Sequence, residues 1–139
     1  MSGEGLRIRR LMELFGLPSG ESVELGIGDD AAVLRPRAGS TLVWTVDAHI
    51  ENVHFRRQWL SWRDCGYRSF IAAASDVSAM GASAWCALSS LSLTPDLSDT
   101  DLEQLALGQR AAANAVGAHV VGGNLSGGSE SGRRPMDGW

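Results

Sequence analysis

Asp29 and Asp30 lie side by side in the run Gly26-Ile27-Gly28-Asp29-Asp30-Ala31-Ala32. Adjacent carboxylates repel each other, and a nearby cation offsets that repulsion. Two more acids each leave an apolar run: Asp47 after Leu42-Val43-Trp44-Thr45-Val46, and Asp76 after Phe70-Ile71-Ala72-Ala73-Ala74-Ser75. Hard cations such as Mg2+ are held by carboxylate oxygens and water, and are shared with substrate phosphates. The pattern therefore reads as a divalent-metal and phosphate site. A plainer reading stands beside it, because aspartate is common in turns and at helix caps. Asp76 resists that reading. It falls inside an alanine-rich stretch that should pack closely, where an unpaired carboxylate costs on the order of several kcal/mol. A metal, Arg63 or Arg68 is the expected compensation.

Other groups fit the same chemistry. His54 lies a few residues beyond Asp47, where an imidazole can donate to a phosphate. Gly122-Gly123-Asn124 follows a short apolar run and allows close approach of backbone to a phosphate, although glycine pairs also simply make turns. No Gly-Lys-Ser/Thr phosphate loop is present, and no Ser-His-Asp or Cys-His arrangement offers a nucleophile. No catalytic acid, base or nucleophile is assigned. The five tryptophans read as packing residues rather than a base-stacking platform.

The elements that must position these residues follow from spacing and punctuation. Residues 4 to 15 predict a helix, with Leu6, Leu11, Leu14 and Phe15 on one face and Gly16 as its stop. Residues 23 to 34 predict two short strands broken at Gly26-Ile27-Gly28, and residues 42 to 46 a β-branched and aromatic strand. Ser61-Trp62-Arg63-Asp64 is a capping-box variant that opens a helix to about Met80, stopped by Gly81. The small residues Ala72, Ala73, Ala74, Ser75, Ser78 and Ala79 should face another backbone. Residues 84 to 93 predict a buried strand. Ser98-Asp99-Thr100-Asp101 opens another helix, carrying Leu102, Leu105, Ala106, Gln109, Ala112, Ala113 and Val116 and ending at Gly117. Residues 119 to 121 predict a short strand. From Gly127 the sequence turns to Gly, Ser, Arg and Pro, so residues 127–139 are expected to be a mobile tail. The elements sum to an α+β domain over residues 1–126, a mixed sheet of about four strands with helices packed on one face.

The bulk numbers agree. A chain of 139 residues, 44% hydrophobic and 20% charged, makes one soluble domain with a real core. Twelve basic against 16 acidic residues give −4, which argues against a general nucleic-acid or anionic-membrane binder. No run is apolar and long enough to span a bilayer, and there is no signal-peptide start. Cys65 and Cys86 lack metal-type spacing and read as buried or partly buried free thiols, consistent with a cytoplasmic location.

Four segments together carry a resemblance. Gly28-Asp29-Asp30-Ala31-Ala32-Val33-Leu34, Asp47-Ala48-His49-Ile50-Glu51-Asn52-Val53-His54-Phe55, Ser75-Asp76-Val77-Ser78-Ala79-Met80-Gly81-Ala82 and Gly122-Gly123-Asn124 occur in the order and spacing of thiamine-monophosphate kinases. The stretch from about residue 4 to 126 resembles the amino-terminal domain of that family, within the wider group related to aminoimidazole ribonucleotide synthetase. The resemblance implies ATP-dependent phosphoryl transfer onto thiamine monophosphate, giving thiamine diphosphate. It implies Asp30, Thr45, Asp47, Asp76 and the position of Asn124 as ligands of several Mg2+ ions. It places His54 at the thiamine phosphate and Gly123 with Asn124 at the nucleotide. It further implies a homodimer in which strands of two subunits form a barrel.

The chain departs from the resembled pattern at several positions. Asn124 stands where the family has Asp, and a neutral amide is the weaker Mg2+ ligand. Val46 replaces a Ser or Thr, and Arg68 and Ala73 replace a lysine and an asparagine. The family's carboxy-terminal domain has no counterpart here, so an isolated domain inactive by itself is one expectation. A non-catalytic, dimerising module that binds Mg2+ or nucleotide is the alternative. A relative acting on a purine-pathway or selenium substrate is a further one, disfavoured by Glu51-Asn52-Val53-His54-Phe55.

Overall fold

Short-range signals start and stop each of the three helices. The structure, a computed structural model, describes residues 3–16 and 22–127. Helix α1 (Gly3–Phe15) stops at Gly16, whose φ of 73° is the left-handed conformation that glycine adopts at no steric cost. Strands β1 (Val23–Leu25) and β2 (Val33–Leu34) pair antiparallel, with Arg35 ion-paired to Glu24 across them. Helix α2 (Trp62–Ala79) opens on a complete capping box: the Asp64 N–H donates to Ser61 Oγ at 3.1 Å, and the Ser61 N–H donates to Asp64 Oδ2 at 3.2 Å. Strand β3 (Cys86–Leu93) leads to helix α3 (Asp99–Val116), which opens on the matching Ser98–Asp101 box and closes at left-handed Gly117. Strand β4 (His119–Gly127) then returns parallel to β3. Parallel neighbours need a crossover, and α3 supplies it.

The core lies between α1, α3 and the β3–β4 pair. Leu11 and Leu14 from α1 meet Leu97, Leu102 and Ala106, with Trp62, Leu91, Leu93 and Leu125 packed around them. Exposed ion pairs, Arg7–Asp99 at 2.7 Å and Arg10–Glu103 at 2.8 Å, also link α1 to α3. Such pairs contribute about 0–1 kcal/mol each, so the leucines hold this contact. Leu6, assigned to the same apolar face, is exposed instead. Gln109 is the buried polar residue. Ser89 Oγ donates to its Oε1 at 2.9 Å, and its Nε2 donates to Ser69 Oγ at 3.5 Å, tying α3 to β3 and α2.

Several expectations need correction. The four strands form two separate two-stranded sheets, not one mixed sheet. The strand predicted at residues 42 to 46 is not formed. That segment has no regular secondary structure, and it leaves Trp44 80% and Val46 84% exposed. Its composition favours a strand, but no neighbour pairs with it among the described residues. Close helix contact falls at Gly66 and Gly108, while of the small residues 72 to 79 Ala74 is buried and Ser75, Ser78 and Ala79 are exposed. A Cβ on Gly66 would sit 2.0 Å from the Leu105 carbonyl oxygen, and one on Gly108 2.0 Å from that of Arg63. Strand β3 is half-buried and alternating rather than buried, with Leu88 outward, and β4 runs on through Gly122-Gly123-Asn124 to Gly127. Residues 128–139 of the predicted mobile tail lie outside the described residues. Cys65 is buried and Cys86 half-buried, both free. No helix among the described residues is long and apolar enough to cross a membrane.

Candidate phosphate and metal site

The loop from His49 to Leu60 folds on itself through its own backbone. The Asn52 N–H donates to the Phe55 carbonyl at 2.7 Å, and the His54 N–H donates to the Ile50 carbonyl at 2.8 Å. Asn52 takes the left-handed conformation (φ 64°) that asparagine tolerates better than most residues. The Ile50 N–H donates to His54 Nδ1 at 3.0 Å. A ring that accepts at Nδ1 is neutral and carries its proton on Nε2, so His54 keeps an N–H donor at that nitrogen. His49 stacks between Phe55, 4.9 Å away at 8°, and His54, 6.0 Å away at 23°. Burial, with Arg68 and His54 nearby, holds the His49 imidazole below its ordinary value. Its Nε2 is buried without a hydrogen-bond partner.

His54 opens onto a cleft of about 450 Å3, lined also by Asn52, Phe55, Arg56, Trp59 and Arg68. The sequence points to Arg68 as a possible partner for Asp76 and as the replacement of a family lysine, and it points to neither Arg56 nor Trp59 for this site. A local signal was present. Residues 52 to 68 hold four arginines (Arg56, Arg57, Arg63, Arg68) and one acid, Asp64, in a chain that is acidic overall.

The predicted metal ligands are arranged differently from expectation. Asp29, Asp30, Asp47, Asp76 and Asn124 are exposed, and Thr45 is half-buried. The Asp30 N–H donates to Asp29 Oδ1 at 2.8 Å, a local turn contact. Among the described residues, no three His, Cys, Asp or Glu side chains gather into a group that could hold a metal. The expected convergence of Asp30, Asp47 and Asp76 is therefore not met in the single chain. Asp47 rides on the unpaired 42–46 segment, and Asp76 projects from the exposed side of α2. Nothing in the fold pins one to the other. The burial argument for Asp76 fails with it, since an exposed carboxylate stays solvated and needs no compensating partner. The donor chemistry still suits Mg2+: every predicted ligand offers oxygen, and none of the three aspartates Asp30, Asp47 and Asp76 is held in an ion pair among the described residues.

Gly123 has a structural task that the sequence did not disclose. It pairs with Ser89 in the β3–β4 ladder, where a Cβ would lie 1.9 Å from the Ser89 carbonyl oxygen. The absence of a side chain there is demanded by strand packing before any ligand is considered.

A family model described as AIR synthase related protein, N-terminal domain, matches residues 28–136. The chain belongs to that family. Within it, the similar proteins are thiamine-monophosphate kinases. That of Bacillus subtilis is 42% identical over 60 residues, covering 43% of this chain and 18% of the relative. That of Mycobacterium tuberculosis is 39% identical over 82 residues, 59% of this chain and 24% of the relative. The crystal structure of the Stenotrophomonas maltophilia thiamine-monophosphate kinase superposes with a TM-score of 0.72 at 34% identity, over 88% of this chain and 36% of that one. The matched region is thus well under half of each relative. The α+β fold of this AIR synthase related domain is the fold of the corresponding part of that structure.

Proposed function

We propose that this domain forms part of an ATP- and Mg2+-dependent thiamine-monophosphate kinase, transferring a phosphoryl group onto the phosphate of thiamine monophosphate to give thiamine diphosphate. The observation that carries the reading is His54: its Nδ1 accepts from the Ile50 N–H, which leaves the proton on Nε2, and the residue lines a cleft of ligand size. The names of the similar proteins supply the substrate.

Phosphate-to-phosphate transfer needs no protein nucleophile. It needs alignment of donor and acceptor, and neutralisation of charge on the phosphoryl oxygens. In this chain His54 donates to the acceptor phosphate, while Gly123 and Asn124 border the nucleotide. Asp30, Thr45, Asp47, Asp76 and Asn124 would hold Mg2+, which when bound offsets the negative charge of the phosphates. The carboxylates act as clamps rather than acids or bases. The partner surface is the unpaired 42–46 segment, whose exposed apolar residues fit addition to a strand of a second copy in a homodimeric barrel.

A second reading, a dimerising module that binds Mg2+ or nucleotide without turnover, draws on the neutral Asn124 and on the separated acids. An assay with ATP, Mg2+ and thiamine monophosphate separates the two. The kinase reading expects thiamine diphosphate, from this chain alone or with the carboxy-terminal part of a relative supplied as a second polypeptide. Calorimetric binding of Mg-ATP with no product in either mixture favours the module.

A further inference from the structure

We propose that Arg68 and Arg56 read the phosphate of the ligand in the His54 cleft, so that this cleft selects a phosphomonoester carrying an aromatic ring over its unphosphorylated counterpart. The inference rests on the acceptor-site reading above and adds to it the residues that set substrate charge. Both arginines line the cleft. Among the described residues, no carboxylate lies in ion-pair range of either, although the chain carries 16 acids, and neighbouring Glu51 pairs with neither. Arg56 is held against the Trp59 ring at 5.0 Å, a cation–π contact that orders its stem and leaves its N–H fork uncommitted. An arginine fork matches phosphate oxygens in paired hydrogen bonds, which a lysine cannot reproduce. His54, which lines the same cleft, carries a third N–H donor at Nε2. Phe55 and Trp59 give the apolar surface against which a ring packs. Two cations, a neutral donor and two aromatic faces around about 450 Å3 are the complement of a small aromatic phosphate.

Equilibrium titration of the full chain tests this with four probes: thiamine monophosphate, thiamine, phenyl phosphate and Mg-ATP. For Arg68→Gln we expect thiamine monophosphate affinity to fall by roughly tenfold to a hundredfold, the loss of one or two charge-assisted hydrogen bonds. Arg68→Lys should fall between the two, and Arg56→Gln should lower affinity in the same direction. Thiamine and Mg-ATP binding should not change in any of them. Both side chains are exposed, and matching circular-dichroism melts confirm that each variant folds. Equal thiamine monophosphate binding by wild type, Arg68→Gln and Arg56→Gln overturns the inference while leaving the kinase reading standing. Arginine-dependent binding of phenyl phosphate without binding of thiamine monophosphate supports the inference and removes the kinase reading. Binding of neither phosphate by the wild type overturns both.

Discussion

Asp76 illustrates how a residue's meaning depends on its exposure. Its place in Ala72-Ala73-Ala74-Ser75-Asp76 predicted burial, yet only Ala74 of that run is buried and Asp76 faces solvent. Relief of repulsion is then no source of stability on neutralising it. Asp76→Asn should leave the Tm in the absence of metal unchanged, within about ±0.5 kcal/mol of stability. It should reduce the rise in Tm that Mg2+ and ATP produce. Equal ligand-induced shifts in mutant and wild type would show that Asp76 is not a ligand. Asp64 gives the residue-scale dependence on pH. Its hydrogen bonds with the Ser61 side chain and backbone hold its carboxyl below the usual carboxylate range. A depressed value in the folded state means that the contribution is present above about pH 4, the unfolded value, and is lost as pH falls through the folded one. Asp64→Asn should therefore flatten the acid limb of a plot of Tm against pH; an unchanged limb argues against the cap as a source of acid sensitivity.

At the scale of elements, what the sequence disclosed was local. Ser61 with Asp64, Ser98 with Asp101, and the glycines at 16, 81 and 117 mark helix ends because capping bonds span only a few residues. The pairings that span the chain were not legible. Nothing in the helical pattern singles out Gly66 or Gly108, but each removes a Cβ that would collide with the opposite helix backbone. Gly66→Ala and Gly108→Ala should each destabilise the domain by about 1–3 kcal/mol or more, measured by urea denaturation. A loss near zero would mean that α2 and α3 can separate freely. Gly123 follows the same logic. Its sequence context pointed to a ligand, and its first duty is to the Ser89 backbone.

At the scale of the whole molecule, the site was legible as a set of residues and not as an assembly. Aspartates in glycine-flanked turns and after apolar runs are recognisable from type and spacing, and so are the four family segments. The single chain does not bring Asp30, Asp47 and Asp76 together, and Asp47 follows the 42–46 segment, which pairs with no strand among the described residues. The cleft formed by His54, Arg56, Trp59 and Arg68 was missed because α2 carries Arg68 to a loop more than ten residues earlier. The exposed Trp44 and Val46 make a whole-molecule prediction about oligomeric state. Sedimentation should show a dimer for the wild type and a monomer for Val46→Asp, whose charge on an added strand edge opposes pairing. A wild-type monomer at high concentration would remove the barrel from this account.

The claim on which the rest depends is that Asp30, Asp47 and Asp76 come to share divalent ions when nucleotide and acceptor are bound. Nuclear magnetic resonance with Mn2+ in place of Mg2+, in the presence of ATP and thiamine monophosphate, tests it directly, because the paramagnetic ion broadens the signals of nearby amides. We predict simultaneous broadening around Asp30, Asp47 and Asp76 at substoichiometric Mn2+. Broadening at one of the three alone, or at none, would contradict the account.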